Sequence, residues 1–140
     1  MEIMTQTLLD TGPLLAYLDG SDQWHKWVTR QWQSLHPPLV ICEPVLTEAI
    51  FLLRSRNVNL EPLWELLRRE IVVIDFDASR ELENIAVLMR RYADLPMDFA
   101  DACLVRMAEK QDNVRVFTLD RDFKIYRRHG RQIIPLIFPD

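Results

Sequence analysis

A chain of 140 residues has room for one ordinary domain and none for a second. With 49% hydrophobic and 27% charged residues it can build a core, which excludes a disordered polymer. Its 21 acidic and 17 basic residues leave a formal charge of -4, so net charge gives no argument for a phosphate-rich partner.

Thr7–Leu9 is predicted as a short strand ending on Asp10, and Thr11-Gly12-Pro13 as a tight turn, with Pro13 suited to the first turn of a helix through Leu18. Asp22 is predicted to cap a second helix running to about Leu35, which Pro37-Pro38 ends. Leu39–Cys42 reads as a buried strand, and Glu43-Pro44 opens a helix to about Arg54. Asn59 is placed to cap a helix over Pro62–Arg69. Ile71–Ile74 is an unbroken β-branched strand. Helical spacing runs from Ala78 to Tyr92 through Leu82, Ile85, Ala86 and Met89. Pro96 is predicted to start the next helix, carrying Ala100, Leu104 and Met107. Val114–Leu119 is a strand, Phe123–Arg128 a short helix stopped by Gly130, and Ile133–Ile137 the last strand. Five strands separated mostly by helices predict an α/β fold, a parallel sheet with helices on both faces, in a single domain over residues 1–140. In such sheets a site lies outside the carboxyl ends of the strands.

Cys42 and Cys103 sit far apart in apolar stretches, which favours buried free thiols in a reducing compartment over a disulfide. The start has no basic region followed by a long apolar run, and no stretch approaches the roughly 20 apolar residues of a membrane span. A cytoplasmic protein is the expectation.

The acids fall where the strand-end rule puts a site. Asp10 and Asp120 are placed at the carboxyl ends of the first and fourth strands, and Glu48 about one turn into the helix after the second. Asp98 and Asp101, three apart, share one helix face. At about 4 Å and an effective dielectric near 20, each like-charged pair costs roughly 4 kcal/mol. Divalent cations relieve that repulsion, and with no His or Cys among these acids the donor set is hard oxygen, which suits Mg²⁺ or Mn²⁺ and not Zn²⁺. Each acid also has a structural role open to it. Asp10 can be a turn residue, Asp98 a helix-start charge, Glu48 a solvated helix residue, and Asp120 the cap of the turn after it.

The same residues resemble the PIN domain family. Leu8-Leu9-Asp10-Thr11-Gly12-Pro13-Leu14-Leu15-Ala16 looks like its opening motif, and Thr47-Glu48 within Glu43–Ala49 resembles the second. Met97-Asp98-Phe99-Ala100-Asp101-Ala102 is similar to the third, and Thr118-Leu119-Asp120-Arg121-Asp122-Phe123 to the fourth. The four motifs stand in order, and the likeness runs from near residue 7 to near residue 137. Many small PIN proteins are VapC-type toxins of toxin–antitoxin pairs. The resemblance implies a three-layer α/β/α sandwich around a parallel five-stranded sheet, use of Mg²⁺ or Mn²⁺, and endoribonuclease activity. It also implies an antitoxin partner and a homodimer.

Resemblance and acid cluster support one chemistry, metal-assisted in-line attack of water on an RNA phosphodiester, leaving a 5′-phosphate and a 3′-hydroxyl. Asp10 and Asp101 are assigned as principal metal ligands, with Glu48 and Asp120 completing the catalytic set. Asp98 and Asp122 are secondary, and Thr11 and Thr118 are placed to orient carboxylates or water. A phosphatase of the haloacid-dehalogenase type needs a second Asp where Gly12 stands, and a signalling receiver needs a Lys after a late strand where Asp120-Arg121-Asp122 stands. A PIN-like module that binds RNA or a partner without cutting remains the alternative. Phosphate contacts are assigned to Arg121, Lys124, Arg127 and Arg128, with Arg54, Arg56 and Arg131 as further cations; a solvated basic face is the alternative. Trp24, Val28 and Trp32 recur at helical spacing beside Trp27, which reads as core or interface before base stacking, and His25 as structural. An antitoxin helix laid in a groove would dock in this region.

Overall fold

The computed structural model describes residues 4–140. β1 (Gln6–Leu9) leads into α1 (Thr11–Leu18) and α2 (His25–Trp32), then β2 (Leu39–Ile41), α3 (Glu43–Ser55), α4 (Glu61–Arg68) and β3 (Val72–Ile74). α5 (Leu82–Arg91), α6 (Phe99–Glu109) and β4 (Val114–Phe117) follow, then a small hairpin, β5 (Arg127–Arg128) with β6 (Gln132–Ile133), and β7 (Leu136–Ile137). Five strands form one sheet in the order β3-β2-β1-β4-β7, every pairing in it parallel. Parallel pairing leaves both faces to be covered, and the central strands are accordingly apolar on both: Leu8, Leu9, Val40, Ile41, Val116 and Phe117 are all buried.

From β1 the chain steps outward through β2 to β3, then returns past β1 to β4. Right-handed crossovers therefore put α1–α4 on one face and α5–α6 on the other, the three-layer sandwich expected from the resemblance. The packing agrees: α1 contacts α2 and α3, while α5 contacts α6. The direction of winding reverses between β1 and β4, whose pairing runs in register from Gln6 with Val114 to Leu9 with Phe117. That reversal opens a crevice at the carboxyl ends of these two strands.

Several local expectations are corrected. Asp22 does not cap α2. Its carboxylate accepts from the Trp24 amide at 2.8 Å in a preceding turn, and the helix starts at His25. The helix expected from Ala78 breaks after a 3₁₀ turn, Ala78–Arg80, because Glu81 turns inward to Arg106 at 3.0 Å and Lys110 at 3.2 Å on α6. α6 begins at Phe99, not Pro96, since the Asp98 carboxylate caps it. Phe123–Arg128 is not a helix: a 3₁₀ turn, Arg121–Lys124, gives way to the β5–β6 hairpin. Gly130, at φ 80°, supplies that hairpin's left-handed bend beside His129 at φ 53°. Ile133 consequently leaves the main sheet and is exposed, and only Leu136–Ile137 extends it.

The aromatic stripe of α2 faces inward. Val28 and Trp32 are buried, Trp32 stacks on Tyr17 with centroids 3.8 Å apart, and Trp27 meets Phe117 edge-on at 6.0 Å. His25 Nδ1 lies 2.7 Å from the Ala16 carbonyl, a structural contact. Cys42 and Cys103 are free and buried. No helix among the described residues is long and apolar enough to cross a membrane.

Candidate active site

Each candidate carboxylate stands where a chain segment turns away from the sheet's carboxyl edge. Asp10 follows β1 and caps α1, its Oδ1 accepting from the Thr11 amide at 2.8 Å. Its Oδ2 accepts from the Thr118 hydroxyl at 2.7 Å, which ties the end of β1 to the end of β4. Thr118 Oγ1 in turn accepts from the Asp120 amide at 3.0 Å, and Asp120 Oδ1 accepts from the Asp122 amide at 2.9 Å. Across the crevice, Asp98 Oδ1 accepts from the Asp101 amide at 2.8 Å, opening α6. Asp101 lies in the first turn of α6, buried, and its Oδ2 accepts from the Tyr126 hydroxyl at 3.0 Å. Asp10, Asp98 and Asp120 thus each serve both the structural role open to them and the cluster. The amides of these helix and turn starts bring positive dipole ends to the acids, which offsets part of their mutual repulsion.

Electrostatics link the acids into one group. Burial pushes the Asp10 carboxyl up to about 6; the bonds from Thr118 and Thr11 oppose this, and the charges of Asp120 and Glu48 add to it. Asp101 is pushed up to about 8, first by burial and then by the charges of Asp98 and Asp10. Tyr126 opposes that rise, and its own hydroxyl is pushed well above the usual tyrosine range by burial and by Asp101. Glu48 is exposed on α3 and joins the group as a charge felt by Asp10. Asp122 lies further out, as a charge felt by Tyr126.

The donor set fits a hard divalent cation. All the candidate ligands are carboxylate oxygens, and beside them the buried Thr11 hydroxyl has no hydrogen-bond partner. Among the described residues no three acidic, His or Cys side chains stand close enough to grip an ion as they lie. Mg²⁺ needs only one or two protein carboxylates and keeps several waters, so Asp10 and Asp101 suffice.

The basic residues divide. Arg121 and Lys124 are exposed on the 3₁₀ turn that follows Asp120, Lys124 lying 4.4 Å above the Phe138 ring. Arg127 and Arg128 both spend donors on the chain's own carbonyls. Arg127 Nη1 donates to the carbonyls of Lys124 and Ile125 at 2.8 and 3.0 Å, and buried Arg128 donates to the Gln111 carbonyl at 2.8 Å. The Arg128 contact ties the hairpin to the segment after α6, and the Arg127 contacts brace the turn before β5. Arg56 is bound to Asp19 and Asp22 at 3.1 and 2.9 Å.

Tyr126 is the residue that sequence reasoning missed. It is buried against Tyr92 and Phe123, with ring centroids 5.1 Å apart in each pair, so its hydroxyl is fixed when it reaches Asp101. Tyr126→Phe keeps that packing and removes only the bond. We expect roughly 10-fold weaker Mn²⁺ binding by calorimetric titration with the melting temperature nearly unchanged. Unaltered affinity would make Tyr126 a packing residue only.

Two comparisons bear on this geometry. The model of the PIN domain family matches residues 7–128, from the middle of β1 to the end of β5, which takes in every acid described above. The chain is also similar to Ribonuclease VapC26 of Mycobacterium tuberculosis (strain ATCC 25618 / H37Rv), 30% identical over 117 residues, a span covering 81% of this chain and 86% of that protein. With the family match spanning most of the chain and the acids at the strand ends of a five-stranded parallel sheet, this protein belongs to the PIN domain family.

Proposed function

We propose that this protein is a divalent-metal-dependent endoribonuclease, acting as the toxin of a toxin–antitoxin pair. The observation that carries the reading is the pair of buried carboxyls, Asp10 held by the Thr118 hydroxyl at 2.7 Å and Asp101 held by the Tyr126 hydroxyl at 3.0 Å, with Asp101 feeling the charge of Asp10. Two such groups are poorly accommodated as bare anions and well accommodated around a cation. Membership of the PIN domain family and likeness to a named ribonuclease support the same chemistry.

Mg²⁺ or Mn²⁺, when bound, supplies positive charge beside the scissile phosphate. Asp10 and Asp101 hold that ion. Thr118 fixes the orientation of Asp10, and Tyr126 that of Asp101, so neither carboxylate reorganises as charge develops. Glu48 and Asp120, the more exposed members, orient the attacking water and accept its proton. Attack on phosphorus breaks the bond to the 3′ oxygen, which takes a proton from solvent as it leaves, and the phosphate stays on the 5′ end of the downstream fragment. Arg121 and Lys124 position the strand through its phosphates without reading bases.

The test is cleavage of a mixed RNA pool with Mn²⁺, with Mg²⁺ and with EDTA. Cleavage with either metal, leaving 5′-phosphate ends, and none in EDTA is the expected result. Equal cleavage in EDTA, or 2′,3′-cyclic phosphate ends, would end this reading. The antitoxin and homodimer parts of the proposal are read together. Where a short reading frame adjoins the gene, co-expression with its product should give a complex of dimeric toxin mass in which cleavage is suppressed.

A further inference from the structure

A cleft of about 600 Å³ opens beside the acids, at the carboxyl ends of β2 and β3. Its volume lies in the roughly 300–1,000 Å³ range of small-ligand sites. It is lined by Glu43, Pro44 and Thr47 from α3, Phe76 and Asp77 after β3, and Phe99 from α6. Two elements that line the cleft, α3 and α6, also carry members of the proposed catalytic group. Phe99 stands directly after Asp98 and two residues before Asp101, and Thr47 directly before Glu48. Phe99 is 41% exposed, an aromatic ring in the first turn of a helix that otherwise buries its apolar residues. Phe76 packs half-buried against the core.

The charge in the cleft decides what fits. Glu43 is an exposed carboxylate in the first turn of α3, and Asp77 is held by the Ser79 amide at 3.1 Å and the Ser79 hydroxyl at 2.6 Å. Asp77 is also paired with Arg80 at 3.3 Å, so Glu43 is the acidic group left to meet a ligand, and it disfavours a phosphate beside it. An uncharged base edge rich in N–H donors is attracted, and its faces have aromatic rings to stack on. Guanine presents adjacent imino and amino donors that match the two oxygens of one carboxylate. Uracil presents a single imino donor between two carbonyl oxygens, which a carboxylate repels.

Resting on the ribonuclease reading, we propose that this cleft receives the unpaired base next to the scissile phosphate, with guanine preferred and uracil rejected. Phe99 stacks on that base, Glu43 takes its donor edge, and Asp10 and Asp101 act on the neighbouring phosphate. Specificity for the cleaved sequence is then set on the β3 side of the crevice, opposite Arg121 and Lys124.

The experiment sequences the cut ends of a randomised single-stranded RNA pool. The chains compared are the wild type, Phe99→Ala, Phe99→Trp, Glu43→Gln and Phe51→Ala, all with Mn²⁺. Phe51, exposed on α3 and outside the cleft, controls for loss of any surface aromatic. The wild type should show guanine enriched at one position flanking the cut. Phe99→Ala should cut the favoured sites roughly 10-fold more slowly and lose the preference in its residual cuts, while Phe99→Trp retains it. Glu43→Gln should flatten the preference for guanine, and Phe51→Ala should match the wild type. If the wild type cuts with no base preference, or Phe99→Ala keeps the wild-type profile, the inference fails while the ribonuclease reading stands. If the wild type cuts no RNA at all, both fall.

Discussion

Asp10→Asn and Asp101→Asn should each lower metal-dependent RNA cleavage by a factor of roughly 10³ or more, with both chains remaining folded. An amide keeps the size of the carboxyl but loses the anionic oxygen, so a bound cation loses a strong ligand and part of its charge compensation. Folding is spared because the capping bond of Asp10 from the Thr11 amide can be taken over by the side-chain carbonyl of Asn. The same holds at Asp101 for the bond from the Tyr126 hydroxyl. Each variant also removes one member of a repelling group, so stabilisation by Mn²⁺ shrinks while the metal-free protein keeps or gains thermal stability. Melting curves with and without Mn²⁺, paired with cleavage of a mixed RNA pool, measure all of this. A variant cutting at near wild-type rate would remove the acids from the catalytic role. Variants that fail to fold would make them structural.

The metal-free protein should lose stability as pH rises from 6 to 8, and Asp101→Asn should abolish that loss. Asp101 titrates at about 8 in the folded chain against 3.8 for the ordinary side chain. Between those values the folded state binds more protons than the unfolded state, so stability falls with rising pH. Asp10, at about 6, contributes mainly below the window. Glu81 and Asp77, held below the ordinary range chiefly by the hydrogen bonds from Arg106 and Ser79, act in the opposite sense and only in acid. One proton over these two pH units corresponds to on the order of 2 kcal/mol, and to a fall in melting temperature on the order of 5–10 °C. The three histidines are common to both chains, so the difference between their melting curves isolates Asp101. Saturating Mn²⁺ should suppress the pH dependence of the wild type. Parallel curves for the two metal-free chains across this range would show that Asp101 ionises normally.

What could be read from the sequence follows the range of the forces involved. Leu8-Leu9 ending on Asp10, Val72–Ile74, and Glu43-Pro44 opening α3 are local patterns of burial and capping, and they stand in the structure where those patterns put them. The last third resisted because tertiary contacts overrode local pattern there. Glu81 breaks a helical run to reach α6, and the Arg128 guanidinium is drawn to Gln111 and pins the hairpin. The apolar run Ile133–Ile137 splits around Pro135, which cannot donate within a ladder. The acids were legible as strand-end positions. Tyr126 was not, since its partner lies 25 residues back along the chain and neither residue belongs to a periodic pattern. The cleft was equally hidden, because its lining comes from three separate segments.

The pairing of β1 with β4 joins residues 108 positions apart, Gln6 to Val114 and Leu9 to Phe117. Contacts of such long sequence separation close late, after the local helices have formed. A chain emerging from the ribosome therefore carries Asp10 and Glu48 long before it carries Asp101 and Asp120. Until the fourth strand has cleared the exit tunnel and slotted beside the first, the Thr118 hydroxyl has no Asp10 to bind and the acidic crevice does not exist. The topology therefore assembles the acidic group only once synthesis of the domain is nearly complete.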